Sequence, residues 1–483
     1  MGGLSKKAFQ LDKLKQKKPL PHLTLDSGGL LFKGHRLPYG MQEQNTITAG
    51  AIVDAYNIMA YDGVGISGRD LAAGLDFLIA MQERSLFPWL SANLVDKASY
   101  LPLFTPYIQK TIGALDIAVI GITGTDAGGA LKESDQGVIL PWRKVLPPLA
   151  AELAKENDLI VLLSSSSSFD NRAIAEEVPE IHIIFQAASG VPFHAPKQVG
   201  NTIICQAEKQ GKSFGVLQVN WQPSKVWHTD ESGKLLTQKQ NELRNINVRL
   251  SRYEQRLPSE ERQTHWGYQQ LLQIRDQVQE EIERLKTDII QKQSSKEVPS
   301  TLKNRLIAME ISLPDDKKVL DIVEEAKRKV NELSRKNAAA NRNISGQPSL
   351  PKTARSIPLP YAGVTTCSGC HRPQADFWEK THHAGAYRTL VENRQNHNPD
   401  CLSCHVTDNR GNRTRSLVLL PDELRQVGCE TCHGPGGAHA ENQGNDSIIR
   451  HPAAATCIGC HTKERDDSFN YENDVKRIAC PAS

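Results

Sequence analysis

No run of 18 apolar residues occurs in the 483-residue chain, so it offers no candidate membrane-spanning helix. An excess of one charge is missing too. Against 55 acidic side chains stand 58 basic ones, and a net charge of +3 is too balanced for a nucleic-acid partner. Apolar residues reach only 39%, below the usual level of about 45–50%, which leaves room for a polar or loop-rich region. The first 20 residues lack the apolar core of about 7–15 residues that an export signal needs. Cysteine is nearly absent from three quarters of the chain, where Cys205 stands alone before residue 361.

What is present is concentrated. Residues 361–483 hold nine of the ten cysteines and nine of the fifteen histidines. The length leaves room for about three domains, and the pattern divides the chain accordingly. Residues 1–228 alternate short apolar runs with helical stretches. The predicted strands are Leu23–Leu25, Ile117–Ile122, Leu159–Leu163, Ile181–Phe185, Thr202–Gln206 and Gly215–Trp221. The predicted helices are Thr48–Met59, Asp70–Met81 and Leu146–Glu156. This alternation is that of an α/β layered domain. The Ser164–Ser168 run lacks a G-x-S-x-G frame and reads as a hydroxyl-rich loop.

Residues 229–336 change period. Leu243, Ile246, Leu250, Tyr253 and Leu257 form one helical stripe. Leu271, Ile274, Val278, Ile282, Leu285 and Ile289 form a second, and Leu320, Val323, Ala326, Val330 and Leu333 a third. Each places apolar residues on one face. Together they predict a helical hairpin arm or short coiled coil, serving as a spacer or as a contact between copies of the chain. Residues 337–364, rich in Asn, Ser, Ala and Pro, read as a linker.

The last segment, 365–483, carries four C-x-x-C-H motifs: Cys367, Cys370 and His371; Cys401, Cys404 and His405; Cys429, Cys432 and His433; Cys457, Cys460 and His461. This is the pattern of c-type haem attachment. The cysteines form thioethers to the two vinyl groups, and the adjoining histidine lies under the iron as proximal ligand. Zinc ribbons also use C-x-x-C pairs, but zinc does not require a histidine after every pair. Four c-type haems are therefore expected. His383, His439, His451, His397 and His382 are the candidate distal ligands, and bis-histidine ligation suits low-potential electron transfer. His383 and His439 lead, since each has small neighbours that let an imidazole approach a porphyrin face. His382 stays open as the alternative to His383, and the histidine supply leaves room for one iron with no distal protein ligand.

Three strings carry a resemblance: Trp378-Glu379-Lys380-Thr381-His382-His383-Ala384, Pro399-Asp400-Cys401-Leu402-Ser403-Cys404-His405-Val406-Thr407 and Val427-Gly428-Cys429-Glu430-Thr431-Cys432-His433-Gly434-Pro435-Gly436. Over residues 361–465 the chain resembles the tetrahaem cytochrome family of nitrification electron transfer. That resemblance implies stacked haems on a mainly helical and loop scaffold, and electron transfer. Some relatives reduce nitrogen oxides.

Residues 1–228 resemble the metallophosphatase domain of periplasmic 5'-nucleotidases. The matching strings are Leu25-Asp26-Ser27-Gly28-Gly29-Leu30-Leu31-Phe32, Val53-Asp54-Ala55-Tyr56-Asn57, Gly68-Arg69-Asp70-Leu71, Leu162-Leu163-Ser164 and Ala175-Glu176-Glu177-Val178-Pro179. Such enzymes clamp two metal ions with Asp, His and Asn ligands. Against that pattern the Asp-x-His motif is absent. Gly29 replaces the bridging aspartate, and Arg69 and Asp70 replace an Asn-His pair. Ser165 replaces a strand-end histidine, and Gln186, Ala187, Ala188 and Ser189 replace Gly-His-x-His. The resemblance thus implies a degenerate domain without catalytic residues, in which His182 and His194 read as structural. The full combination resembles a fused multihaem cytochrome–metallophosphatase family.

Haem attachment takes place outside the cytoplasm, so a periplasmic or cell-surface location is expected. The missing signal and missing Asp-x-His strand point to a truncated N-terminus or a misassigned start. Expected partners are other redox proteins, such as multihaem cytochromes or quinol-linked donors. The leading expectation is an electron carrier. The alternatives are a haem-centred reductase of nitrogen or sulfur oxyanions, a subunit of a haem-stacked polymer and, least favoured, an active phosphoesterase.

Overall fold

The computed structural model describes all residues except 1–2, 18–19, 132–135, 188–194, 209–210, 223–224, scattered positions between 228 and 257, 294–299, 311, 345–360, 408–419, 445–447, 463–464, 467–468 and 482–483. His194, Ala188, Ser189, Leu257 and most of the linker drawn at 337–364 lie outside the described residues.

The N-terminal region is an α/β layered fold. A six-stranded sheet runs in the order β10 (Lys197–Val199), β11 (Thr202–Gln206), β9 (Ile183–Gln186), β8 (Leu159–Ser164), β6 (Leu115–Ile122) and β5 (Tyr107–Ile112). Its four middle strands are parallel, and β5 and β10 are antiparallel edges. Every residue of β8 and β11 is buried, as expected for parallel strands covered on both faces. The apolar runs at these positions therefore lack alternation. A small parallel sheet of β1 (Leu25–Asp26), β2 (Gly63–Gly65) and β3 (Trp89–Leu90) packs on β6 and β8. A short antiparallel pair, β4 (Leu94–Asp96) with β7 (Gly137–Ile139), lies beside them.

Helices α1 (Leu4–Lys17), α2 (Gln42–Met59) and α3 (Leu75–Arg84) flank the small sheet. Helices α4 (Trp142–Leu153) and α5 (Ser168–Glu177) cover the large one. The helix expected at Asp70–Met81 begins only at Leu75. Residues 69–73 are turns, Gly74 has φ +97°, and the Asp70 carboxylate is engaged with loop amides instead of capping a helix. The serine run follows β8 as expected, and Ser167 caps α5 by accepting from the Asp170 N–H.

The helical arm predicted over 229–336 divides between two places. Helix α6 (Ser259–Thr264) leads into α7 (Trp266–Gln293), whose Leu271, Val278 and Ile282 pack against Ile246 and Leu250 of the preceding stripe. The third stripe does not join them. Its helix, α8 (Lys317–Ile344), lies on α1 and α2, and Val319 and Val323 enter the core formed by Ala8, Ala49, Val53 and Tyr56. The reason is an intervening strand. β13 (Thr301–Ala308) pairs antiparallel with all of β12 (Ser213–Asn220), and this draws the chain back to the N-terminal region before α8 starts. The linker drawn from 337 accordingly begins inside α8.

The described residues of 361–481 form short helices and loops around a small core of Leu390, Leu402, Val406, Leu420 and Leu424. The helices are α9 (Val364–Cys370), α10 (Arg372–Trp378), α11 (Ala386–Glu392), α12 (Pro399–His405), α13 (Cys429–His433), α14 (Gly437–Glu441), α15 (Ala454–Ile458) and α16 (Tyr471–Asp474). Contacts reach back to the N-terminal region. Asn331 of α8 accepts from the His397 N–H at 2.7 Å, and Lys33 pairs with Asp400 at 3.6 Å.

Candidate haem-binding site

Each C-x-x-C-H motif lies on or at the end of a short helix: α9, α12, α13 and α15. One helical turn puts two cysteines three residues apart on the same side. No two of the ten cysteines are joined in a disulfide. Thiols of different motifs meet in pairs, Cys367 with Cys429 and Cys404 with Cys460, through hydrogen bonds. The bond from Cys460, aided by Ser403, lowers the Cys404 thiol from its ordinary range. Its bond with Cys429, together with burial, pushes the Cys367 thiol up.

The histidines show a second order. The His405 Nδ1 lies 2.7 Å from the Ala386 carbonyl, and the His433 Nδ1 lies 2.7 Å from the Ile449 carbonyl. A carbonyl only accepts, so each Nδ1 carries the proton and each Nε2 keeps its lone pair for a metal. The His461 Nδ1 has a carboxylate instead, Asp466 Oδ2 at 2.8 Å.

Two motif histidines face a second imidazole. His371 and His439 have ring centres 6.2 Å apart at 22°, and His383 and His461 have centres 6.1 Å apart at 64°. Two metal–nitrogen bonds of about 2 Å plus about 1 Å from each nitrogen to its ring centre sum to about 6 Å. The spacing therefore leaves room for one metal ion between the two rings of each pair. The residues present fit a haem iron with two axial imidazoles.

The other three histidines differ. His382 and His451 are exposed. His397 is half-buried beside α8, and burial, with the charges of Arg335 and Arg425, holds its pKa below the ordinary value. His383, also half-buried, is shifted the same way by burial, then by His461 and His382.

Residues other than the motif cysteines and histidines hold this arrangement. The buried Glu430 carboxylate, between Cys429 and Cys432, accepts from the amides of Ala362, Gly363 and Gly436 at 2.7–2.8 Å. It joins the start of α9, which leads to His371, to the glycine loop before His439. The Trp378 indole donates to the Val427 carbonyl at 2.9 Å, and Thr407 bonds the Gln426 carbonyl, the Gly428 amide and Thr431. Motif spacing gave no reason to single out Glu430 or Asp466. A glutamate between the two cysteines of a motif was the one available signal.

At the N-terminal region the positions of the phosphatase ligands hold other chemistry. Gly29 has φ +76°, and a Cβ there would lie 2.5 Å from the Arg69 guanidinium. Asp70 is fully buried and accepts from the amides of Gly29, Leu30, Leu31 and Ser67 and from the Ser67 hydroxyl. Burial pushes its pKa up, and these bonds oppose the shift. Ser165 donates to the Ile66 carbonyl and accepts from the Gly124 amide. Gln186 is bound to Asn171, Ser168 and Gln206. Among the described residues no three His, Cys, Asp or Glu side chains are grouped to hold a metal ion. His182 is buried and accepts from the Ile160 amide, in edge contact with Trp221.

The chain thus joins C-x-x-C-H motifs on short helices to an α/β layered body. Residues 366–434 match the family model described as cytochrome c554 and c-prime, and the chain is a fusion of that domain with a metallophosphoesterase-like N-terminal region. Cytochrome c-554 of Nitrosomonas europaea is 36% identical over 93 residues, covering 16% of this chain and 39% of that one. The uncharacterized metallophosphoesterase YunD of Bacillus subtilis is 27% identical over 185 residues, 35% of this chain and 37% of that one. This chain thus spans well under half the length of either relative. Among solved structures, sulfate thiohydrolase SoxB of Thermus thermophilus aligns with a TM-score of 0.45 at 16% identity, over 67% of this chain and 46% of that one. The c554 domain supports a haem electron-transfer role.

Proposed function

We propose that this protein carries four c-type haems and passes electrons between redox proteins of the cell envelope, with a catalytically silent phosphatase-like body. The observation that carries this reading is the pair of imidazole couples, His371 with His439 and His383 with His461, each spaced for one iron and each drawn from distant parts of the chain. A c-type haem supplies a one-electron ferric–ferrous couple. Cys367, Cys370, Cys401, Cys404, Cys429, Cys432, Cys457 and Cys460 would hold the four groups, and His371, His405, His433 and His461 would ligate from the proximal side. Two imidazoles on one iron leave no place for a substrate, so His439 and His383 favour transfer over catalysis at those two centres. The contacts between Cys367 and Cys429 and between Cys404 and Cys460 favour first-with-third and second-with-fourth motif neighbours.

The silent phosphatase site rests on charge. Arg69 puts a guanidinium against Gly29, where a bridging carboxylate and two cations would be needed. The partners we propose are multihaem cytochromes or quinol-linked donors, and the location is the periplasm or cell surface. The test is haem content. Protein isolated from its native host should gain the mass of four haems and retain them on a denaturing gel. Bound zinc without haem would end the proposal.

A further inference from the structure

The motif histidines are not held alike, and the difference has a direction. His405 and His433 each donate Nδ1–H to a neutral backbone carbonyl. His461 faces the Asp466 carboxylate at 2.8 Å. The Asp466 amide in turn bonds the Thr462 carbonyl at 2.8 Å. On its other side the His461 ring stacks on Phe469, with centres 4.6 Å apart at 19°. The ring is thus clamped between a carboxylate, an aromatic face and the position across from His383.

We propose that Asp466 is a positioning residue that makes the centre at His461 the most reducing of those whose proximal histidines have a known Nδ1 partner, and so sets the direction of electron flow through the module. This inference rests on the reading that His461 and His383 ligate one iron. A hydrogen bond to an ionised acceptor is roughly twice as strong as one to a neutral acceptor. It draws the Nδ1 proton toward the carboxylate, leaves more electron density on Nε2 and raises the basicity of the ligand. The ferric iron carries one more positive charge than the ferrous iron. A more basic ligand and a nearby negative charge both favour the ferric form, so the single electron is held less tightly at this centre. Backbone carbonyls at His405 and His433 give a weaker effect of the same sign.

The experiment is a potentiometric titration of the haem-loaded full chain, followed by absorbance and low-temperature EPR. Asp466→Asn keeps an acceptor oxygen for the ring and removes the charge. The ferric–ferrous equilibrium of one centre should move about five- to tenfold toward ferrous, a positive shift of about 40–60 mV for one electron. Asp466→Glu keeps the charge and should restore the lower midpoint. His383→Ala assigns the centre, since it should turn the iron whose midpoint moved from low-spin to high-spin. If His383→Ala opens an iron while Asp466→Asn moves no midpoint, the inference is overturned and the ligation reading stands. An equal shift in Asp466→Glu and Asp466→Asn would also overturn it, because geometry and not charge would then be responsible. If His383→Ala opens no iron, the ligation reading fails and takes the inference with it.

Discussion

Removal of the Glu430 carboxylate tests the arrangement at its most connected point. This side chain is 5% exposed and accepts three backbone N–H bonds, from Ala362 and Gly436 at Oε1 and from Gly363 at Oε2. Glu430→Ala leaves three donors without partners. An unpaired buried donor costs about 1–3 kcal/mol, and some water can reach the opened space, so the loss is about 3–6 kcal/mol. Glu430→Gln keeps one acceptor oxygen for two of the amides but turns an NH2 group toward the third. Its cost is about 1–3 kcal/mol. Gly363 starts the helix that leads to His371, and Gly436 precedes the helix that carries His439. Both variants should therefore loosen that pair of imidazoles before they disturb His383 and His461. Native-state hydrogen exchange at the Gly363 and Gly436 amides reads the local opening, and EPR of the haem-loaded chain reads ligation. The expected order of damage is alanine, then glutamine, with one low-spin signal weakened first. The reasoning is refuted if Glu430→Ala leaves both amides protected to within about 1 kcal/mol of the parent protein and all low-spin signals intact.

Three further outcomes are expected. His383→Ala should convert one iron to high-spin while His382→Ala, at an exposed position, should not; the reverse result would transfer the ligand role to His382. Gly29→Asp should not create manganese-stimulated nucleotide hydrolysis, and it should destabilise the N-terminal region by about 1–2 kcal/mol from the φ +76° backbone alone, with more from the Arg69 contact; a hydrolysis rate well above the parent chain would show the site to be recoverable. Burial, with a smaller push from Lys225, holds the His182 pKa down to about 4 against an ordinary 6.5, so the unfolded chain binds its proton first. Stability from this group is present above about pH 6.5 and is lost as pH falls toward 4, by about 3 kcal/mol in all. Denaturation of the full chain across that range should show this slope, and His182→Asn, which still offers an acceptor to the Ile160 amide, should flatten it.

The haem motifs were legible in the sequence because attachment is local chemistry. Two cysteines and a histidine within five residues need no distant partner to be recognised. The buried parallel strands were legible for a similar reason, since a strand covered on both faces must be apolar throughout. Helical stripes gave α7 and α8 their period, but not their neighbours. The same amphipathic face can bury itself against any apolar surface, and the pairing of β13 with β12 sent α8 to α1 and α2 instead of α7. Distal histidines posed the same problem at one residue's scale. His382 and His383 are adjacent, and only the turn of the chain there decides which ring faces His461. Glu430 and Asp466 left no spacing signature because their partners are backbone amides and an imidazole placed by loops. The sequence by itself determined which groups can be bound covalently and which segments must be buried. Tertiary structure alone decided which imidazoles lie opposite one another, that the Glu430 carboxylate bonds Ala362 and Gly363, and that the Arg69 guanidinium lies against Gly29, because each depends on contacts between residues far apart in the chain.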